Sequence, residues 1–182
     1  MADPTVITIR TPGLVLPDPD ASRETYTRAE RVSVATLSLV AAKALRLVST
    51  NRQRHKIVLL DEAWFFLKSA QGRALLNRVI RLGRAFNATV LVATQRVADL
   101  GDLADLFGVC LLFGQETGAE ARAGLVQVGL DGEAGLAYRL LEFRQGRCLM
   151  RDLDGRVGEV QFDLVSPELL AALDTTPGGR AE

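Results

Sequence analysis

The sequence predicts an α/β domain, a parallel sheet flanked by helices and followed by a carboxyl-terminal β-hairpin. Three observations carry this. Residues 57–60 (IVLL) and 89–93 (TVLVA) are short, continuous apolar runs, the pattern of parallel strands covered on both faces. Between them, residues 72–86 repeat their apolar positions with helical period. Near the end, Asp154-Gly155 separates two alternating runs, 146–152 and 157–162, which is a strong hairpin signal.

The elements follow in order. Residues 5–9 (TVITI) are rich in β-branched side chains and read as a strand. Residues 11–21 hold three of the six prolines and read as a loop. A helix is expected over 26–47, apolar on nearly all sides and so buried on more than one face. Residues 49–56 make a polar, basic turn into the strand 57–60. In the helix 72–86, Leu75, Leu76, Val79, Ile80, Leu82 and Phe86 share one side. Arg73, Arg78, Arg81 and Arg84 share the other. After strand 89–93 come a short helix (99–107), a third apolar strand (109–113), and two short helices (117–125 and 132–141). Ser166-Pro167-Glu168 opens a final helical turn, and residues 175–182 read as a frayed tail. Strand–helix alternation of this kind argues for a parallel sheet that the hairpin extends or flanks. Residues 1–165 are expected to form one domain portion, and 166–182 a helical turn with a disordered tail.

Composition narrows the function. With 182 residues and 48% hydrophobic content, the chain can bury a core. Lys+Arg and Asp+Glu both number 22, so a basic surface, if present, must be local. Only Lys43, Lys56 and Lys68 are lysines; the arginine skew suits planar recognition of phosphate, and base composition of a genome produces it too. A single histidine, His55, rules out His-rich metal sites, and its place beside Arg52, Arg54 and Lys56 puts it at the exposed mouth of a strand. Cys110 and Cys148 sit in apolar runs and read as buried free thiols. Residues 1–10 lack a signal-peptide core, and the apolar stretch 32–48 reads as too short and too polar to span a bilayer, so a soluble cytoplasmic chain is expected.

The chemistry concentrates at strand ends. Asp61-Glu62 emerge together where 57–60 ends, either as a solvated acidic turn or as ligand-binding groups, since ligands of open α/β sheets bind outside the carboxyl ends of strands. Asp61 there can hold a magnesium ion, directly or through water. Glu62, on the other side of the pleat, can orient or deprotonate an attacking water. Strand 89–93 ends in Thr94-Gln95, one strand–helix unit later, and parallel pairing would set Gln95 beside the acidic pair. Its amide both donates and accepts, so it can contact a γ-phosphate or its water and move the segment that follows, the alternative being a glutamine that caps the strand. Arg81 and Arg84 lie on one helical face, either as a solvated basic surface or as cations presented to a neighbouring subunit's nucleotide. Arg151 and Arg156, flanking the hairpin turn, form a second such set.

The order IVLLDEAWFFL (57–67), RLGRAFN (81–87), LVATQ (91–95) resembles the type IV secretion and conjugation ATPases of the VirB-four/TraC kind, in the FtsK/HerA group of RecA-like motors. The resemblance covers residues 5–162, with 113–115 and 146–158 resembling the closing strands. It implies a partial RecA-like sheet, ATP and Mg2+ as cofactors, Asp61 and Glu62 as the Walker B pair, Thr94 and Gln95 on the next core strand, and Arg81 or Arg84 as a finger acting in trans. It further implies a homo-hexamer with other secretion-system subunits, peripheral to the cytoplasmic face of the inner membrane and exporting DNA or protein. Other readings are a non-catalytic assembly module derived from such an ATPase, or a DNA translocase of the FtsK/HerA type. One departure is large: G-x-x-x-x-G-K-[ST] is absent, and none of the three lysines follows a glycine. Without those backbone N–H groups and that lysine, weak or no ATP hydrolysis is expected from this chain alone.

Overall fold

A computed structural model describes residues 6–18, 21–61, 63–67, 69–131 and 134–169; of Phe65, Gln71, Arg84 and Ala134 only the backbone is described. Expectations for Glu62, Lys68 and residues 175–182 therefore lie outside the described residues. The chain divides into two compact units, Met1–Leu106 and Phe107–Glu182.

The first unit is built on α1 (Arg28–Ser49), β1 (Lys56–Leu60), α2 (Ala63–Leu67), α3 (Ala70–Gly83) and β2 (Ala88–Val92). A capping box starts α1: the Thr27 hydroxyl accepts from the Glu30 N–H at 3.3 Å, and the Glu30 carboxylate accepts from the Thr27 N–H at 2.7 Å. Ser33, on the inner side of α1, accepts from the Val15 N–H at 2.9 Å and pins the proline-rich loop to the helix. Ser69 starts α3 by accepting from the Gly72 N–H at 3.0 Å. Asn87, at φ 52°, reverses the chain after α3 in the left-handed conformation that asparagine tolerates. β1 and β2 then pair in parallel, Lys56 opposite Ala88 through Leu60 opposite Val92.

Alternation sorts the sheet into two faces. Leu60, Val90 and Val92 pack on a core of Ala63, Leu67, Leu76 and Leu103. Each fully buried aliphatic there contributes about 1.5–3 kcal/mol. Ile57, Leu59 and Leu91 point the other way and are 63%, 65% and 47% exposed. The expected cover on both faces is thus corrected to one, because helices of this unit pack on a single side of the pair. The strand expected at 5–9 is corrected too. Thr5 lies outside the described residues, and residues 6–9 form no strand, leaving Val6, Ile7 and Ile9 exposed. Strand propensity without a pairing partner does not make a strand.

The second unit holds β3 (Cys110–Phe113), α4 (Gly118–Gln127), α5 (Ala134–Leu141), β4 (Arg147–Arg151) and β5 (Val157–Gln161). The hairpin forms as expected, and Gly155 at φ 79° closes its turn. β3 joins this hairpin antiparallel, Cys110 opposite Arg151 through Phe113 opposite Cys148, and is not a strand of the β1–β2 sheet. Leu112, Leu125, Leu140 and Cys148 make its interior. Cys148 is buried, Cys110 is partly buried, and both are free thiols. Burial pushes both thiols up from their ordinary value, with Arg151 pulling Cys110 back and Cys110 adding to the rise at Cys148.

Candidate functional site at the sheet's carboxyl edge

The ladder does not stop at Leu60. The Ala93 N–H donates to the Leu60 carbonyl at 2.9 Å, and the Ala63 N–H donates to the Ala93 carbonyl at 2.9 Å. These bonds hold Asp61 alongside Ala93, with Thr94 and Gln95 next in the chain. Asp61, Thr94 and Gln95 thereby share one edge of the parallel pair, Asp61 and Gln95 exposed and Thr94 partly so. That is where an open α/β sheet presents ligand-binding groups.

The segment after β2 is fastened twice. The Thr94 hydroxyl donates to the Asp99 carboxylate at 3.0 Å. From α3, the Arg73 guanidinium donates to the Asp99 and Leu100 carbonyls, each at 3.3 Å, and to the Asp102 carboxylate at 2.6 Å. The chain there forms two 3-10 turns, Val97–Asp99 and Gly101–Leu106, in place of the single helix expected over 99–107. Sequence reasoning set Arg73 on the arginine face but missed its fastening role, whose contacts 26 and 29 residues away leave no local signal, and it missed Asp99.

Arg81 lies elsewhere. α3 runs back along the sheet for about 20 Å at 1.5 Å per residue. Its first turns face the segment after β2 through Arg73, and at its last residue, Gly83, an added Cβ would stand 2.8 Å from the Ala88 carbonyl oxygen at the start of β2. Exposed Arg81, bonded to Asn77 at 2.6 Å, therefore sits toward the edge opposite Asp61. The backbone of Arg84, in the 3-10 turn Arg84–Phe86, lies there too. Exposed His55 occupies the same opposite edge, its Nε2 2.9 Å from the Thr89 hydroxyl, beside Arg52 stacked on the Phe86 ring at 4.9 Å.

The second arginine set is structural. Arg151 donates to the Gln127 and Phe107 carbonyls at 2.7 and 3.0 Å. Arg156 pairs with Asp152 and Asp154 across the hairpin turn.

One signal in the sequence went unread. Between Glu30 and Asp99 stand twelve Arg and Lys, and the only carboxylates are Asp61 and Glu62. Among the described residues no cluster of three or more His, Cys, Asp or Glu could hold a metal. An ion at Asp61 would draw its remaining oxygens from water and phosphate, as magnesium commonly does.

Residues 2–173 match the protein family described as AAA-like domain. The uncharacterized protein YddE of Bacillus subtilis (strain 168) is 26% identical over 162 residues, covering 88% of this chain and 19% of YddE. The solved structure of VirB4 of Thermoanaerobacter pseudethanolicus is similar with a TM-score of 0.63 and 21% identity, covering 80% of this chain and 40% of that one. At that identity the likeness is one of fold. The chain spans less than half the length of either relative.

Proposed function

This chain belongs to the AAA-like domain family, and on that premise we propose that it is the carboxyl-terminal part of a motor ATPase serving a type IV secretion or conjugation system. In this reading ATP hydrolysis drives transfer of DNA or protein, within a homo-hexamer held peripherally at the cytoplasmic face of the inner membrane by other secretion subunits. What supports it is the continued ladder past Leu60, which gathers Asp61, Thr94 and Gln95 on one carboxyl edge.

The residues present fit half of a nucleotide site. Asp61 offers an exposed carboxylate for a hydrated magnesium ion, which when bound neutralises phosphate charge. Glu62 takes the role of base toward the attacking water. Gln95 contacts that water or the γ-phosphate, and Thr94 beside it takes part in binding the nucleotide. Arg81 and Arg84 act in trans, because the fold carries their helix end away from the chain's own Asp61. The cradle of backbone N–H groups and its lysine must come from sequence outside these 182 residues.

The test is to join this chain to a phosphate-loop-bearing half. Magnesium-dependent ATP hydrolysis is expected, and Glu62→Gln should abolish turnover while sparing nucleotide binding. Equal turnover with Gln at 62 would remove the assigned base. A second reading, an assembly module without catalysis, is favoured by the uncovered apolar face of Ile57, Leu59 and Leu91.

A further inference from the structure

Helix α1 carries a face that the proposed chemistry does not use. Ser33, Leu37 and Val48 are its buried residues. On a 3.6-residue wheel the opposite side reads Arg28, Val32, Ala35, Leu39, Ala42 and Arg46, with Lys43 and Arg31 beside them. All eight are exposed, Val32 at 58% and Leu39 at 72%. The one carboxylate of the helix, Glu30, is on the inner side and is held by the cap at Thr27. The outer face is therefore an apolar stripe with two cations at each end and no anion, Arg31 also donating to the Tyr26 and Glu24 carbonyls at 2.9 and 3.3 Å. Among the described residues, no carboxylate pairs with Arg28, Lys43 or Arg46.

Two expectations for this helix are corrected: it is buried on one side only, and it is not short. The helix spans 22 residues and, by length and composition alone, is long enough to cross a membrane. Its inner side is committed to the protein: Leu37 and Val48 are buried. Insertion across a bilayer would strip that side away, whereas lying flat leaves it packed. A flat-lying helix binds through apolar side chains at the headgroup boundary and through Lys and Arg against anionic headgroups.

The geometry points to α1 as the element that seats this protein on an anionic bilayer surface, its stripe from Val32 to Ala42 facing the acyl boundary and Arg28, Arg31, Lys43 and Arg46 meeting lipid phosphates. This rests on the peripheral membrane location within the proposed function and supplies the surface for it. A nucleic acid would engage the four cations but draw nothing from Leu39. A second copy offering the same face would set cation against cation.

The experiment is co-sedimentation of the full 182-residue chain with vesicles of phosphatidylcholine alone and with about one-third phosphatidylglycerol. Binding is expected only to the anionic vesicles, weakening as salt rises. Val32→Gln with Leu39→Gln, and separately Lys43→Gln with Arg46→Gln, should each weaken it by about tenfold or more. Because these side chains are exposed, melting temperatures should stay close to the parent's and exclude misfolding. Undiminished vesicle binding by both variants would overturn the role of α1 and leave the peripheral location standing. No binding to either vesicle would overturn the proposal and leave the peripheral location to the other secretion subunits. Duplex DNA binding lost only in the cation variant, without vesicle binding, would reassign the face to nucleic acid and overturn the proposal.

Discussion

The Thr94 hydroxyl donates to the Asp99 carboxylate at 3.0 Å and so closes the segment that carries Gln95 into a short loop. Asp99→Ala leaves Thr94 without this acceptor and should cost about 1–2 kcal/mol. Hydrogen exchange should quicken at the amides from Gln95 to Ala98. Asp99→Asn, which keeps an acceptor oxygen, should recover most of the protection. Unchanged exchange in the alanine variant would show that the loop is held without this bond.

The arginines of α3 should separate by role. Arg73 binds two carbonyls and Asp102, so Arg73→Ala should lower stability by about 1–2 kcal/mol in denaturant titration. Its ion pair with Asp102 adds little, since that carboxylate is 85% exposed. Exposed Arg81 bonds only to its helix neighbour Asn77 among the described contacts, and Arg81→Ala should stay within about 0.5 kcal/mol. In the joined protein the order reverses: Arg81→Ala should lower turnover if it acts in trans.

Two glycines of the second unit share a left-handed backbone but differ in surroundings. At Gly146, φ 82°, a Cβ would run into the Phe162 carbonyl oxygen. At Gly155, φ 79°, nothing lies within 4 Å. Gly155→Ala should cost about 1–2 kcal/mol for the conformation alone. Gly146→Ala should cost clearly more, by thermal or chemical unfolding, because backbone must shift. Equal losses would show that strand β5 yields without resistance.

Acid should loosen the hairpin turn. Desolvation pushes the Asp152 carboxyl upward, but bonds from the Arg156 N–H and guanidinium and from the Asp154 N–H outweigh it and hold the group below its ordinary value. A depressed folded value stabilises the turn above the unfolded aspartate range, and that contribution disappears as pH falls through the folded value. An NMR titration should find Asp152 among the last aspartates to protonate, and Asp152→Asn should flatten the turn's acid response.

Calorimetry of this chain with ATP and magnesium should detect no saturable binding, since its sequence holds no phosphate loop. Clear saturable binding would place the phosphate site somewhere other than the edge of Asp61.

Much of the candidate edge was legible in the sequence. Two continuous apolar runs joined by one helix must lie parallel, so Asp61 and Thr94-Gln95 had to end on the same side. The same rule carries the end of α3 to the opposite side, and the separation of Arg81 from Asp61 was readable by that logic. The fastening of residues 94–102 was not, because Arg73 meets Asp102 across 29 residues. Nor was the antiparallel union of β3 with the hairpin, since a short apolar run such as 110–113 pairs equally well in either sense.

What the sequence determined by itself was local and periodic: the capped helix α1, the amphipathic α3, the Asp154-Gly155 turn, and the polar residues that follow each buried run. Side-chain period and turn chemistry act over a few residues, so they are written in the order of the chain. Only the tertiary structure decided that Ile57, Leu59 and Leu91 stand uncovered, that residues 6–9 form no strand, and that the outer face of α1 is exposed. Burial depends on what arrives from elsewhere in the chain, and apolarity alone does not say which face it will cover.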